Sequence, residues 1–349
     1  MQDFRFSFLV TLVCLVGAFY WGTSTPAGGI AAVTLTLILG VMEVSLSFDN
    51  AVVNAGVLKE MDEKWRQLFL TVGILVAVFG MRLLFPIVIV SVATGLRTMD
   101  VVQMALKAPA EYSKHLVENH VVIAAFGGMF LLLVFLNFIF DQDKELHWLG
   151  PAEEKLAKLG KLDSFSAAVA MGTLILTQRF LPVPDRSSAV LAGIFGIILY
   201  IAVDGLGALF ESEEGAGVVA KGVKRSGVAA FIYLEILDAS FSFDGVIGAF
   251  AITQDVVIIM LGLTIGAMFV RSLTVYLVHK GTLDEYVFLE HGAHYAIGVL
   301  AIIMLVSTVY HIPEVVTGLI GVAFIALSLI SSISYRNKNL RESAEAGSH

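Results

Sequence analysis

Long apolar runs separated by short polar stretches dominate the pattern of this chain. Most runs reach about 20 residues, the length at which a helix crosses a hydrocarbon core of about 30 Å. The pattern predicts about ten transmembrane helices, at 5–22, 28–57, 67–96, 120–140, 164–182, 187–210, 227–250, 255–279, 293–310 and 313–335. We therefore expect an all-α polytopic membrane protein, with a single transmembrane domain over 1–335 and a disordered cytoplasmic tail over 336–349.

The composition agrees with this class. Of the 349 residues, 57 % are hydrophobic and 15 % are charged, whereas soluble domains are only about half apolar. The single cysteine, Cys14, excludes an intramolecular disulfide and a thiolate metal cluster. The chain has neither a Walker-type phosphate loop nor a dense basic cluster, which argues against ATP hydrolysis by that route and against nucleic acid as a partner.

Lysine and arginine are distributed unequally between the two sides of the predicted membrane. Fifteen of the 22 lie on the side that contains both termini. The opposite side has five, which are Arg97, Lys107, Lys114, Arg179 and Arg186. Cytoplasmic loops carry the excess of positive charge in membrane proteins, so both termini are predicted to be cytoplasmic.

Two segments deep inside apolar runs share the pattern acid-x-Ser-x-Ser-Phe-Asp. The first runs from Glu43 to Asp49 and the second from Asp238 to Asp244. Each is followed by a span with glycine and arginine nine residues apart, at 73 and 82 and again at 262 and 271. A third apolar span follows in both cases.

These matches predict an internal repeat of three-helix units, repeat A over about 28–140 and repeat B over about 227–310. The copies begin five spans apart, and an odd offset means that equivalent helices cross the membrane in opposite directions. Inverted-topology repeats recur in secondary transporters, which bind their substrate near the midplane between the repeats. Duplication without transport is the alternative interpretation.

The acids of the two motifs are candidates for a shared site, because a charge inside a membrane must be paired or functional. On a regular helix Glu43, Ser47 and Asn50 share a stripe and Asp49 faces elsewhere, so the acids converge only if the helix is distorted near Ser-Phe-Asp. Gly245 makes a similar break reasonable in the second copy, together with Gly248. Unwound backbone is tolerated where it lines a cavity.

Carboxylate, amide, hydroxyl and carbonyl oxygens form a ligand set that suits Mn²⁺, Mg²⁺ or Ca²⁺ better than Cu⁺ or Zn²⁺. The predicted metal ligands are Glu43, Asp49, Asn50, Asp238 and Asp244, supported by Ser47, Ser242, Glu235, Arg82 and Arg271. No cofactor is expected, since the metal would be the transported ion. The competing interpretation is that the acids form structural ion pairs with Arg82 and Arg271.

The two motifs resemble the TerC family of integral membrane proteins, and in particular a branch described as a domain of unknown function. The stretches MEVSLSFDNAVVNAGVL, YLEILDASFSFDGVIGAFAIT and EHGAHYAIG carry the likeness, which covers about 28–335. The resemblance implies a LysE-like transporter fold and export of divalent metal, chiefly Mn²⁺, across the bacterial cytoplasmic membrane. This chain departs from the family core in a cytoplasmic segment at about 141–163 and in having Gly245 where the first motif has Asn50.

Three functions compete. The first is a secondary exporter that exchanges metal for protons, since carboxylates can hold either. The second is an accessory membrane subunit that supplies metal to exported proteins or is linked to tellurium resistance, so its partners would be such proteins or a second copy of the chain. The third is an intramembrane aspartate-dependent enzyme, and it is disfavoured because the strings GxGD and DGxxAR are absent. We therefore expect a transporter rather than an enzyme.

The predicted orientation can be tested by labelling introduced cysteines. In a background without Cys14, cysteines at Ser212 and Ala346 should be protected from an impermeant thiol reagent in intact cells, because both positions are predicted to be cytoplasmic. A cysteine at Lys107, on the opposite side, should be labelled. Labelling at Ser212 or Ala346 in sealed cells would contradict the orientation.

Overall fold

Helices form nearly all of the computed structural model, which describes residues 4–25, 28–73, 76–161, 164–213, 227–310 and 312–346. The α-helices in these ranges are α1 (Arg5–Thr23), α2 (Gly29–Leu46), α3 (Phe48–Glu60), α4 (Glu63–Leu68), α5 (Phe85–Thr94), α6 (Thr98–Lys107), α7 (Pro109–Glu118), α8 (His120–Ile139), α9 (Pro151–Ala157), α10 (Phe165–Thr177), α11 (Val183–Glu213), α12 (Gly227–Ile252), α13 (Val256–His279), α14 (Thr282–Glu285), α15 (Leu289–Ser307) and α16 (Glu314–Ala346). The segments Phe69–Gly73 and Val76–Leu84 between α4 and α5 are π-helical. No strand occurs in the described ranges, as predicted for this all-α class.

Eight helical segments of the described chain are long and apolar enough to cross a membrane. They are Arg5–Thr23, Gly29–Leu46, Glu63–Val88, His120–Ile139, Val183–Gly205, Val256–His279, Leu289–Ser307 and Val316–Asn339. All eight coincide with predicted spans. The fold is therefore that of a polytopic membrane protein.

Two of the predicted spans differ from the other eight. The span predicted at 164–182 contains α10, which has only 13 residues, and the pair Pro151–Gly160 and Phe165–Thr177 is bent by 99°. The span predicted at 227–250 is α12, whose 26 residues are long enough to cross a membrane but carry three acids. By length and composition the described chain has eight spanning helices, or nine with the bent pair, and α12 is the remaining helix of the predicted ten.

The predicted disordered tail is helical as far as the structure describes it. Helix α16 continues to Ala346, and 347–349 lie outside the described residues. The stretch 336–346 contains no proline or glycine and is rich in Arg, Leu, Glu and Ala, which are good helix formers. Its first residue, Arg336, also contacts Glu285 at 2.7 Å.

The predicted repeats pack against each other element by element. Helix α2 packs along α13, and α12 packs on the π-helical segment Val76–Leu84, so the first helix of each predicted repeat contacts the second span of the other. Helix α15 packs on both α3 and α8, and α12 also contacts α8. Fully buried side chains on α8 and α12, among them Phe130, Leu133, Leu234 and Leu237, belong to one hydrophobic core. This packing brings both motif helices into the shared interior.

The two motif helices differ in their backbone. Helix α2 ends at Leu46 and α3 begins at Phe48, so the helix is interrupted at Ser47, as expected for the first motif. Helix α12 is continuous through the second motif, and the break expected at Gly245 and Gly248 does not occur. A Cβ at Gly245 would lie 2.5 Å from Oε2 of Glu43, so the small residue admits a neighbouring side chain rather than a bend.

One buried carboxylate holds the predicted cytoplasmic segment after α8 against the bundle. Glu153 of α9 lies 2.5 Å from Nζ of Lys144 and accepts the backbone N–H of Leu149 at 3.0 Å. Nε2 of His291 on α15 lies 3.5 Å from the same carboxylate. Burial opposes the charge of Glu153, but the hydrogen bonds from Lys144 and Leu149 and the charge of Lys144 outweigh it, and the pKa of Glu153 is lowered.

This contact predicts a selective effect of Glu153→Gln on the segment 144–161. A carboxyl whose folded pKa is lowered stabilises the fold above its unfolded pKa of about 4.3 and loses that contribution as the pH falls through the folded pKa. At pH 7, E153Q should therefore lower the protection of the amides over 144–161 against hydrogen exchange several-fold. The protection of the wild-type amides should fall to the same level well below pH 4. The control E154Q removes an exposed pair with Lys158 and should leave exchange unchanged. Equal exchange in the two variants would contradict the assignment.

Candidate functional site

A buried arginine joins the first acids of the two motifs. Arg82 lies on the π-helical segment Val76–Leu84 and is 7 % exposed, and Glu43 near the end of α2 is 1 % exposed. Nη2 of Arg82 donates to Oε1 of Glu43 at 2.5 Å, and Nη1 lies 3.8 Å from Oδ2 of Asp238 on α12. One guanidinium therefore serves a carboxylate from each predicted repeat.

The break at Ser47 places further polar groups on these acids. Oγ of Ser47 donates to Oε1 of Glu43 at 3.2 Å. In the first turn of α3, Nδ2 of Asn50 donates to Oδ1 of Asp238 at 2.8 Å. Four of the predicted site residues, Glu43, Ser47, Asn50 and Asp238, thus form one network around Arg82.

The difference between Asn50 and Gly245 has a geometric meaning in this network. The two residues hold the same position in the two motifs, directly after the Phe-Asp pair. Each of them contacts the first acid of the opposite motif. Asn50 contacts Asp238, and Gly245 lies against Glu43. The Asn50 amide therefore donates a hydrogen bond to Asp238, whereas the missing side chain of Gly245 leaves space for Glu43.

Asp49 faces a separate small cavity. Its Oδ1 accepts the backbone N–H of Asn50 at 3.0 Å. A cavity of about 30 Å³ adjoins it, and its lining includes Glu43, Ser47, Asp49 and Gly245. The distortion at Ser47 therefore does not bring Asp49 onto Arg82, and the two acids of the first motif meet across this cavity.

Arg271 and Glu235 lie around a second cavity, of about 40 Å³, together with Asn54, Gly73, Arg82 and Asp238. The guanidinium of Arg271 donates through Nη2 to the backbone carbonyl of Leu70, which belongs to the first π-helical segment. The two arginines that occupy equivalent positions in the sequence thus make different contacts. Arg82 bridges two carboxylates, and Arg271 bonds to the backbone.

The predicted metal site is assembled only in part among the described side chains. Ser242 and Asp244 lie on α12, but their side chains are outside the described residues. Among the side chains that are described, no three His, Cys, Asp or Glu residues converge closely enough to hold a metal ion. The assignment of Glu43, Asp49, Asn50, Asp238 and Asp244 as metal ligands therefore stays a prediction.

The glycines that leave space for the buried acids were not identified from the sequence. A Cβ at Gly266 of α13 would lie 2.3 Å from Cβ and Cγ of Glu43, so only glycine lets α2 approach α13 at this level. The spacing of Gly262 and Gly266 is a GxxxG pattern, which marks close helix contacts in membranes and could have indicated this contact. The π-helical segments carry no comparable signal.

Two comparisons find proteins similar to this chain: one is a family of unknown function and the other is a membrane protein. Residues 48–340 match the family described as "Protein of unknown function (DUF475)". The "Uncharacterized membrane protein YceF" of Bacillus subtilis (strain 168) is 28 % identical in an alignment 206 residues long, which covers 50 % of this chain and 79 % of that protein. No solved structure matches the chain.

The Arg82 contacts predict a strong and specific loss of stability in Arg82→Met. The change leaves two buried carboxylates without their guanidinium, which typically costs about 3–5 kcal/mol. Thermal unfolding of purified protein should show this loss, and E43Q/R82M should recover part of it because one carboxylate charge is removed as well. The matched variant R271M loses a bond to a backbone carbonyl and should be affected less. Unfolding of R82M at the wild-type temperature would contradict this account.

Proposed function

This chain belongs to the family described as "Protein of unknown function (DUF475)", and from its interior we propose that it is a secondary transporter for divalent metal cations. The proposed direction is export from the cytoplasm, the preferred ion is Mn²⁺, and protons enter in exchange. Mg²⁺ and Ca²⁺ are the other ions that the same oxygen ligands would accept.

An excess of acids over arginines on the motif helices and their neighbouring spans carries this proposal. Five acids lie on the interior helices α2, α3 and α12, and they are Glu43, Asp49, Glu235, Asp238 and Asp244. Two arginines, Arg82 and Arg271, lie on the neighbouring spans. With every group ionised, three negative charges would remain uncompensated in a low-dielectric interior, which is too costly. Protons or metal ions must supply the balance, and groups that accept either are suited to exchange.

The chemistry of the lining favours a hard cation. The cavity of about 40 Å³ is bordered by two carboxylates, an amide and a threonine hydroxyl together with the guanidiniums of Arg82 and Arg271, and the cavity of about 30 Å³ by two carboxylates and two hydroxyls. Neither has a Cys or His among its described lining residues. Their volumes are about 40 and 30 Å³, whereas pockets for small organic molecules span several hundred Å³. An ion with few water molecules is therefore the fitting substrate, and an organic solute is not.

Arg82 suits a role as a resident cation in this exchange. It neutralises Glu43 and Asp238 in the structure, so a divalent ion that binds between the same carboxylates must displace the guanidinium. After release of the metal, Arg82 or protons restore the charge balance. Transporters with inverted repeats move one repeat against the other around a central site, and the arginine contacts join elements of both predicted repeats.

The family resemblance supports the same proposal. The TerC-like motifs imply metal export, and the membrane relative from Bacillus subtilis agrees with the location that the apolar helices require. We propose the bacterial cytoplasmic membrane as that location, with both termini in the cytoplasm. An accessory subunit that supplies metal to exported proteins would use the same acids, but it would need a partner for metal movement.

The proposal predicts that both motif aspartates are needed for transport. Asp49→Asn and Asp244→Asn keep the size and one oxygen ligand but remove a charge, and each should lower Mn²⁺ flux in proteoliposomes at least about tenfold, because ligand charge sets the affinity of such sites. The double variant should be no worse than either single variant, since residues of one site act as a unit. The control Ser45→Ala loses an exposed hydroxyl that bonds to the Val41 carbonyl, and it should transport normally.

Wild-type flux in both aspartate variants would overturn the role of these acids. A wild-type protein that moves no metal until a partner is added would favour the accessory subunit.

A further inference from the structure

The cavity beside Glu235 has the properties of a binding site in its own right. It lies between α3, the π-helical segments, α12 and α13, and both Arg82 and Asp238 belong to its lining. Glu235 is 7 % exposed and belongs to the lining. No ion pair joins Glu235 to a basic side chain in the part of the chain that the structure describes.

Several oxygen atoms of this lining are buried without a hydrogen-bond donor. They are both carboxylate oxygens of Glu235, Oδ1 of Asn54 and Oδ2 of Asp238. A buried acceptor left unsatisfied is costly, and most such atoms in proteins have a partner. Water could donate hydrogen bonds in this cavity, but it would not compensate the charge of the carboxylate. A metal cation would coordinate these oxygen atoms and compensate the charge.

Gly73 makes the position of the carboxylate possible. A Cβ at Gly73 would lie 2.6 Å from Oε1 of Glu235, which is closer than real Cβ contacts, so any larger residue must push the carboxylate aside. In the other motif the position equivalent to Glu235 is Gly40, three residues before the first acid. A Cβ at Gly40 would lie 3.4 Å from the carbonyl oxygen of Gly262, the glycine equivalent to Gly73. In both copies this position lies near a glycine of the opposite predicted repeat, at an ordinary van der Waals distance for Gly40, but only the second copy carries an acid there.

We propose that Glu235, Asp238 and Asn54 form a second cation site, at which a hard divalent ion binds before it displaces Arg82. This inference rests on the proposed transport function and adds a site to it, distinct from the cavity that Asp49 lines. Arg271 also lines the cavity, and its Nη2 is engaged by the Leu70 carbonyl. Arg82 lines the cavity as well, and its guanidinium lies between Asp238 and Glu43. The asymmetry of the motifs gives the transporter one such site rather than two.

Equilibrium binding of Mn²⁺ to the purified full chain tests this site. Glu235→Gln keeps the shape and removes the charge, and Gly73→Ala keeps every charge and forces the carboxylate out of place. Both should weaken Mn²⁺ binding at least about tenfold. The matched control is Gly80→Ala in the second π-helical segment, where a Cβ would meet only the Val76 side chain, at 3.4 Å and beyond. G80A should bind Mn²⁺ as wild type does.

A compensating pair keeps the test meaningful if Gly73→Ala disturbs the fold. Glu235→Asp shortens the side chain by one methylene, so E235D/G73A should bind Mn²⁺ more tightly than G73A, whereas a general folding defect would not be repaired by it. Wild-type affinity in E235Q would overturn the proposal and would indicate that the cavity holds water alone. Weak binding in G73A without recovery in E235D/G73A would also count against it.

Metal flux through the wild-type protein separates this inference from the proposed function. If wild type transports Mn²⁺ and E235Q binds it normally, the second site is wrong and the transporter stands. If wild type binds Mn²⁺ through Glu235 but moves none in proteoliposomes, the site stands and the transport function is wrong.

Discussion

The guanidinium of Arg82 between Glu43 and Asp238 is the contact on which the interior of this protein depends. Each carboxylate comes from a different motif, so the ion pair ties α2, α12 and the π-helical segment Val76–Leu84 together. A charge inside a membrane protein must be neutralised where it lies, since no bulk water can screen it. The arginine satisfies this requirement for two acids and leaves Asp49 and Glu235 on cavities to either side. The proposed exchange of protons and metal follows from this remaining charge.

Glycines determine where these acids can lie. Gly245 and Gly266 leave space for Glu43, and Gly73 leaves space for Glu235. Close approach of helix backbones at small residues is the usual way in which membrane helices associate. Here it also opens room for charged side chains, because the volume that a methyl group would fill is taken by a carboxylate. The same glycines therefore determine both the contacts between the helices and the positions of the carboxylates.

Much of the architecture could be predicted from the sequence, because the bilayer imposes a strict length on apolar runs. Eight spans, the break near Ser47 and the cluster of motif residues around Arg82 all follow from runs, motifs and the cost of buried charge. The short α10 and the continuous α12 differ from the predicted elements. In each case local propensity or packing decided between alternatives that polarity could not separate. The π-helical segment Val76–Leu84, on which Arg82 lies, had no signal in the sequence at all.

Simultaneous measurement of metal and proton movement by the wild-type protein tests the central claim most directly. Purified protein in sealed proteoliposomes, with a Mn²⁺ indicator and a pH indicator inside, should move Mn²⁺ down its gradient and protons in the opposite direction. A proton gradient imposed in the absence of a metal gradient should in turn drive Mn²⁺ movement. Mn²⁺ movement no faster than in protein-free liposomes, under either gradient, would contradict the account.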